Sequence, residues 1–81
     1  MANNALKNLA VSENGFVFDP TSGNTFILNE TALIIVKLLI QEKSKEEIKE
    51  SILNEYAVEI DEIERDYADL TIQLRELGLI Q

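Results

Sequence analysis

Two hydrophobic patterns divide this chain. Between Leu6 and Leu28 short apolar runs are bounded by turn residues, whereas beyond Asn29 apolar positions return every three or four residues. Short runs between turn signals mark strands, and a period near 3.6 marks an amphipathic helix. The first stretch therefore predicts three strands, Leu6 to Val11, Phe16 to Asp19 and Asn24 to Leu28. Phe16 and Phe18 fall on one face and Val17 on the other; Phe26 and Leu28 likewise oppose Thr25 and Ile27. Asn14-Gly15 can supply the two φ > 0 positions of a type I′ hairpin turn. Asp19-Pro20-Thr21-Ser22-Gly23 predicts the second turn, with Pro presetting φ and Gly free to turn left-handed. A meander covers its middle strand on both sides, so the third strand is left at an edge.

Asn29 suits the N-cap of a first long helix, Glu30 to Gln41. Its Leu33-Ile34-Ile35-Val36 run would also suit a buried strand, but the cap and the length favour a helix. Apolar on most sides, it is expected at the centre of the fold. Ser44-Lys45-Glu46-Glu47 has the pattern of a capping box. The second helix it opens carries Ile48, Ile52, Leu53 and Tyr56 as its expected buried stripe. Asp61 is expected to cap the third helix, with Glu64 reaching back to it. Ile60, Ile63, Tyr67, Leu70, Leu74 and Leu77 then recur at steps of three and four. Over about two and a half heptads such a stripe is a core face more often than a coiled-coil seam. Gly78 stops the helix as a C′ glycine, and Leu79-Ile80 are expected to fold back onto it. The order of elements predicts an α+β fold, winged helix-turn-helix-like, a three-stranded antiparallel meander followed by three helices.

Composition narrows the chemistry. The 81 residues, 46% of them hydrophobic, suit one domain over 1–81 with a marginal core, burying roughly 60–65% of the unfolded surface. There is no cysteine and no histidine. That removes the usual zinc ligands, a thiolate nucleophile, a disulfide framework and an imidazole base. The acidic run Glu59 to Asp66 lacks the glycine and the alternating ligands of a calcium loop. Ser44 beside Lys45 is occupied as a cap rather than free as a nucleophile. Neither an enzyme nor a cofactor or metal is expected.

The net charge is −8, and Glu42 to Asp69 holds eleven acidic residues against four basic ones. This surface would repel a nucleic acid, whose binding depends on Lys and Arg at phosphates. It is either a plain solvated helix face or an attractor for a basic peptide or partner. Met1 to Ala10 has one lysine and no signal-like apolar run, and Ala32 to Ile40 is too short for a membrane span. A cytoplasmic protein without membrane contact is the expectation.

The third strand stands out. Asn24-Thr25-Phe26-Ile27-Leu28 has neither charge nor proline, the usual protections of an edge. Such an edge either captures an extended peptide or is hidden, by the N-terminal segment or in a homodimer. Tyr67 is expected half-buried in the core or facing such a groove, since its ring is apolar and its tip polar.

Several of these features occur together in one known family. Asp19…Gly23, Phe26-Ile27-Leu28-Asn29, Leu38-Leu39, Ser44 with Glu47-Ile48, Leu53…Tyr56, Ile63-x-x-Asp66-Tyr67, Leu70…Leu74 and Leu77-Gly78-Leu79-Ile80 follow one another in order. From Leu9 onward the chain resembles the PqqD family, whose winged-helix domain is also called the RiPP recognition element. At Glu42-Lys43 it departs from the glycine that the family commonly has between the first two helices. Residues 1–8 lie outside the resemblance and are expected to be flexible.

The resemblance implies a peptide chaperone. It would bind the leader of a ribosomally made precursor peptide and present the core to a tailoring enzyme, often a radical SAM protein. The leader would add to the third strand, with Asn24, Thr25, Phe26, Ile27 and Leu28 supplying the ladder. Ile63, Asp66, Tyr67, Leu70 and Leu74 would supply the groove wall. Two other readings compete with it. A winged-helix DNA-binding regulator is permitted by topology, but Asp61, Glu62, Glu64, Asp66 and Asp69 oppose it. A small homodimerisation module would use the open edge for itself. An acyl carrier protein is excluded by the missing Asp-Ser-Leu attachment motif.

Overall fold

A computed structural model of the chain describes residues 4–80. Its elements are α1 (Asn4–Lys7), β1 (Ala10–Val11), β2 (Phe16–Asp19), β3 (Asn24–Ile27), α2 (Glu30–Ile40), α3 (Lys45–Glu55) and α4 (Ile60–Glu76). The sheet is antiparallel in the order β1-β2-β3, which leaves β3 at an edge. The meander followed by three long helices is the predicted α+β arrangement.

The first strand is shorter than its sequence predicts. Leu6 and Leu9, three residues apart, are both buried, a spacing that a helical turn satisfies and a strand does not. Turn bonds from Asn8 N to the Ala5 oxygen and from Leu9 N to the Leu6 oxygen hold this segment, and only Ala10 and Val11 pair with β2. Lys7 reaches Glu42 at 2.6 Å, linking α1 to the turn after α2.

The first hairpin turn also differs from type I′, because Asn14 does not adopt a positive φ. Gly15 N donates to the Ser12 oxygen, and Ser12 N donates to the Phe16 oxygen, closing a three-residue loop. Gly15 takes φ +88, as in a type I turn completed by a left-handed glycine. A side chain here would meet a second obstacle, since a Cβ on Gly15 would collide with the Leu28 carbonyl oxygen. Gly15 thus sets both the turn and the close approach of the end of β3. In the second turn the buried Asp19 carboxylate accepts from Thr21 N and Ser22 Oγ, at 3.0 and 2.8 Å.

The core lies between the inner face of the sheet and the helices. Val17, Ile35, Val36, Ile48, Ile52, Ile63 and Leu74 have no exposed surface. Asn29 caps α2 through its Oδ1, which accepts from Ala32 N at 2.8 Å. The capping box of α3 forms in both directions, Ser44 Oγ accepting from Glu47 N and Glu47 Oε1 from Ser44 N.

Two helix predictions need correction. Leu53 and Tyr56 do not join the α3 stripe but are each 43% exposed; the buried residues of α3 are Ile48 and Ile52. α4 begins two residues earlier than expected, so Asp61 lies inside its first turn and Glu59 is the N-cap, without a side-chain bond. Glu64 is consequently free to pair with Lys49 on α3, at 2.6 Å. Of the α4 stripe, Ile63, Leu70 and Leu74 are buried, while Ile60 and Leu77 at its ends are exposed.

The C-terminal end follows the Schellman pattern. Leu79 N donates to the Leu74 oxygen, Gly78 N to the Arg75 oxygen, and Gly78 is left-handed at φ +76. Leu79 is thereby folded into the core. The same pattern closes α2, where Lys43 N bonds the Leu38 oxygen and Glu42 N the Leu39 oxygen. Here the left-handed residue is Glu42, at φ +64. The turn usually built with glycine therefore keeps its shape without one, at a conformational cost, while the Glu42 carboxylate gains Lys7 as a partner.

Candidate functional site

The ladder determines which backbone groups of β3 are open. Leu28 N donates to the Gly15 oxygen, and β2 pairs with β3 in the register Phe16↔Ile27, Val17↔Phe26, Phe18↔Thr25 and Asp19↔Asn24. Along an antiparallel pair, bonded and non-bonded positions alternate. Leu28, Phe26 and Asn24 therefore turn their N–H and C=O groups toward β2. Thr25 and Ile27 turn theirs outward, toward an edge that no described strand covers.

Beside this edge lies a shallow cleft of about 170 Å³, lined by Ile27, Leu28, Asn29, Ala32, Asp66, Asp69, Leu70 and Gln73. β3 and its exit into α2 form one wall, and α4 forms the other. Ala32, Leu28 and Leu70 are buried apolar side chains at the seam of the two walls. The polar side is acidic: the Asp66 side chain is only 13% exposed, and its nearest cation is its neighbour Arg65 at 3.9 Å. None of the eight lining residues is a Lys or Arg.

The residues expected at the site separate into three groups. Ile27, Leu28, Asp66 and Leu70 line the cleft. Asn24, Thr25 and Phe26 belong to the edge strand itself, Asn24 and Thr25 exposed and Phe26 half-buried against the core. Ile63 and Leu74 are not surface at all: both are fully buried, so they support the α4 wall from behind. Tyr67 is half-buried on the side of α3, where Lys45 Nζ stands 5.5 Å from its ring centre.

Four cleft residues, Asn29, Ala32, Asp69 and Gln73, were not expected from the sequence. A signal for two of them is present: Asp66, Asp69, Leu70 and Gln73 occupy positions i, i+3, i+4 and i+7 of one helix face. That face runs alongside the Ile63-Leu70-Leu74 core stripe and shares Leu70 with it.

The electrostatics of the rest of the surface are local. The Lys7 ammonium, hydrogen-bonded to Glu42, holds that carboxyl below the usual carboxylate range. Glu64 is lowered by its hydrogen bond from Lys49, and Glu47 by the backbone N–H and hydroxyl of Ser44. Lys49 is raised by the same Glu64 pair. Among the described residues, no group of three or more His, Cys, Asp or Glu could hold a metal ion. No described helix is long and apolar enough to cross a membrane.

Residues 15–80 match the family model described as coenzyme PQQ synthesis protein D (PqqD). The chain belongs to the PqqD family. The match begins at Gly15 and runs through the cleft to the apolar C-terminal turn. Among solved structures, the chain is similar to "Lasso peptide synthetase B1 complexed with the leader peptide", with a TM-score of 0.68 and 35% identity. The likeness covers 88% of this PqqD-family chain and 85% of that one. No curated protein matches the sequence.

Proposed function

We propose that this PqqD-family protein is a non-catalytic leader-peptide binding protein of ribosomal peptide modification. It captures an extended segment of a precursor peptide as a fourth strand on β3 and holds the rest for a modifying enzyme. The observation that carries this reading is the open edge at Thr25 and Ile27 immediately beside a cleft formed with α4. Backbone bonds to such an edge supply affinity with little regard to sequence, and the cleft side chains supply selectivity. The similarity to a synthetase subunit complexed with a leader peptide supports the same function.

In this reading a peptide chain runs along β3, and every second residue enters the cleft against Asp66, Asp69, Leu70 and Gln73. Ile63 and Leu74 act only by keeping α4 at the correct distance. The modifying enzyme, a radical SAM protein or another tailoring enzyme, receives the core from the presented complex in the cytoplasm.

Calorimetric titration with the N-terminal half of the short peptide encoded beside this chain tests the proposal. Micromolar binding to the wild type, lost in a folded Ile27→Pro variant, is the expected result. Binding that survives Ile27→Pro, with the variant's circular dichroism unchanged, would overturn strand addition.

A further inference from the structure

Ile27 is 75% exposed, the most exposed large apolar side chain among the described residues. Phe16, its cross-strand partner on β2, is 47% exposed, and Phe18 in the next row is 38% exposed. Together they form an apolar strip on the outer face of the sheet, opposite to the core. Its rows run Phe16–Ile27 and Ala10–Phe18–Thr25, straight toward the open edge. Isolated exposed hydrophobes need no explanation, but a strip that ends at an unpaired edge has a definite neighbour.

Any strand that bonds to the outward groups of Thr25 and Ile27 continues these rows. Residues in register across a ladder share a face, with Cβ atoms about 4.5–5.5 Å apart. The added residue level with Ile27 therefore projects onto the outer face, whichever way the strand runs. Its neighbours on either side in sequence project into the cleft. We infer that the outer face is a second recognition surface for the same peptide: the residue in register with Ile27 is an apolar or aromatic side chain that packs on Ile27 and continues the Phe16–Ile27 row. This rests on strand capture at β3, and adds that the captured peptide is read on both of its faces rather than from the cleft alone. The ligand class is then an extended peptide with an apolar residue on its outward phase.

The test uses a displayed library of randomised 12-residue peptides, selected in parallel on the wild-type protein and on Ile27→Thr. Threonine keeps the β-branch and the strand preference while removing most of the apolar surface. Amide exchange with a selected peptide then shows whether Thr25 and Ile27 become protected, and so fixes the register. The expected result is an apolar residue enriched opposite Ile27 on the wild type and not on Ile27→Thr. For such a peptide, Ile27→Thr should weaken binding by about five- to ten-fold, and Phe16→Ser by less. Protection of Thr25 and Ile27 without any apolar enrichment opposite Ile27 would overturn the two-faced reading and leave strand capture standing. A library that yields no binder protecting these amides would overturn both.

Discussion

The two edges of the sheet are built differently. β1 is two residues long, follows directly from the buried turn of α1, and is tied to the rest of the fold through Leu6 and Leu9. β3 is four residues long, uncharged and free of proline. It is held on one side only, by β2, and by the Leu28–Gly15 bond at its end. On the β1 side the chain closes its own edge early; on the β3 side it leaves an edge with a cleft beside it. The contrast shows where this protein expects another chain: a four-residue unprotected edge is a liability unless something pairs with it.

The sharpest way to break the comparison is to remove one outward amide from each edge. Ser12 N bonds the Phe16 oxygen, so alternation turns the Val11 N–H away from β2 just as it does that of Ile27. Neither proline removes a bond within the sheet. Ile27→Pro should weaken peptide capture by more than about tenfold, and Val11→Pro should leave it unchanged in the same titration. Equal loss from both would erase the distinction between the edges.

Gly15→Ala should have the next largest effect, and on stability rather than binding. It forces a side chain into φ +88 and against the Leu28 carbonyl, so the chemical denaturation midpoint should fall with a loss of about 2 kcal/mol or more. A smaller loss would mean that the end of β3 is not pinned at this turn.

How much of this contrast was visible in the sequence depends on how local its cause is. The three-strand order, the Asn29 and Ser44 caps, the Gly78 stop and the unprotected third strand each depend on a few adjacent residues, and all are found in the structure. The helical turn at Asn4–Lys7 was not legible, because a single pair of leucines three apart, Leu6 and Leu9, runs straight into the strand residues Ala10 and Val11. The exposure of Leu53, Tyr56 and Ile60 depends on how far α3 and α4 overlap, which no periodicity contains. For the site, the family resemblance pointed to α4 but placed core-stripe residues in the groove wall. At about 100° per residue, Ile63 and Leu74 lie roughly 20–40° around the helix from Leu70, the edge of the Asp66–Asp69–Leu70–Gln73 face, a rotation that only packing decides.

A smaller effect concerns the acidic wall. Asp66→Lys and Asp69→Lys should each raise affinity for peptides with Glu on the cleft phase and lower it for peptides with Lys there, by a few-fold. No difference across such a peptide pair would remove these carboxylates from recognition.

The smallest effect is the pH dependence. Glu42, Glu47 and Glu64 are all lowered from 4.5 in the folded protein. Their contribution to stability is therefore present above the unfolded value and is lost as pH falls through the folded ones. With no histidine or cysteine in the chain, both edges should behave alike between about pH 6 and 8. The contribution of these three carboxyls to the thermal midpoint should fade progressively as acid titrates them from around 4.5 down through their lowered folded values.

The most direct test of strand capture is an NMR titration of labelled protein with the peptide encoded beside it, and with duplex DNA as control. The account predicts amide shifts centred on Thr25 and Ile27, extending to Asp66–Gln73 on α4, with none from DNA. Shifts that follow DNA instead, or peptide shifts centred on the β1 edge, would contradict it.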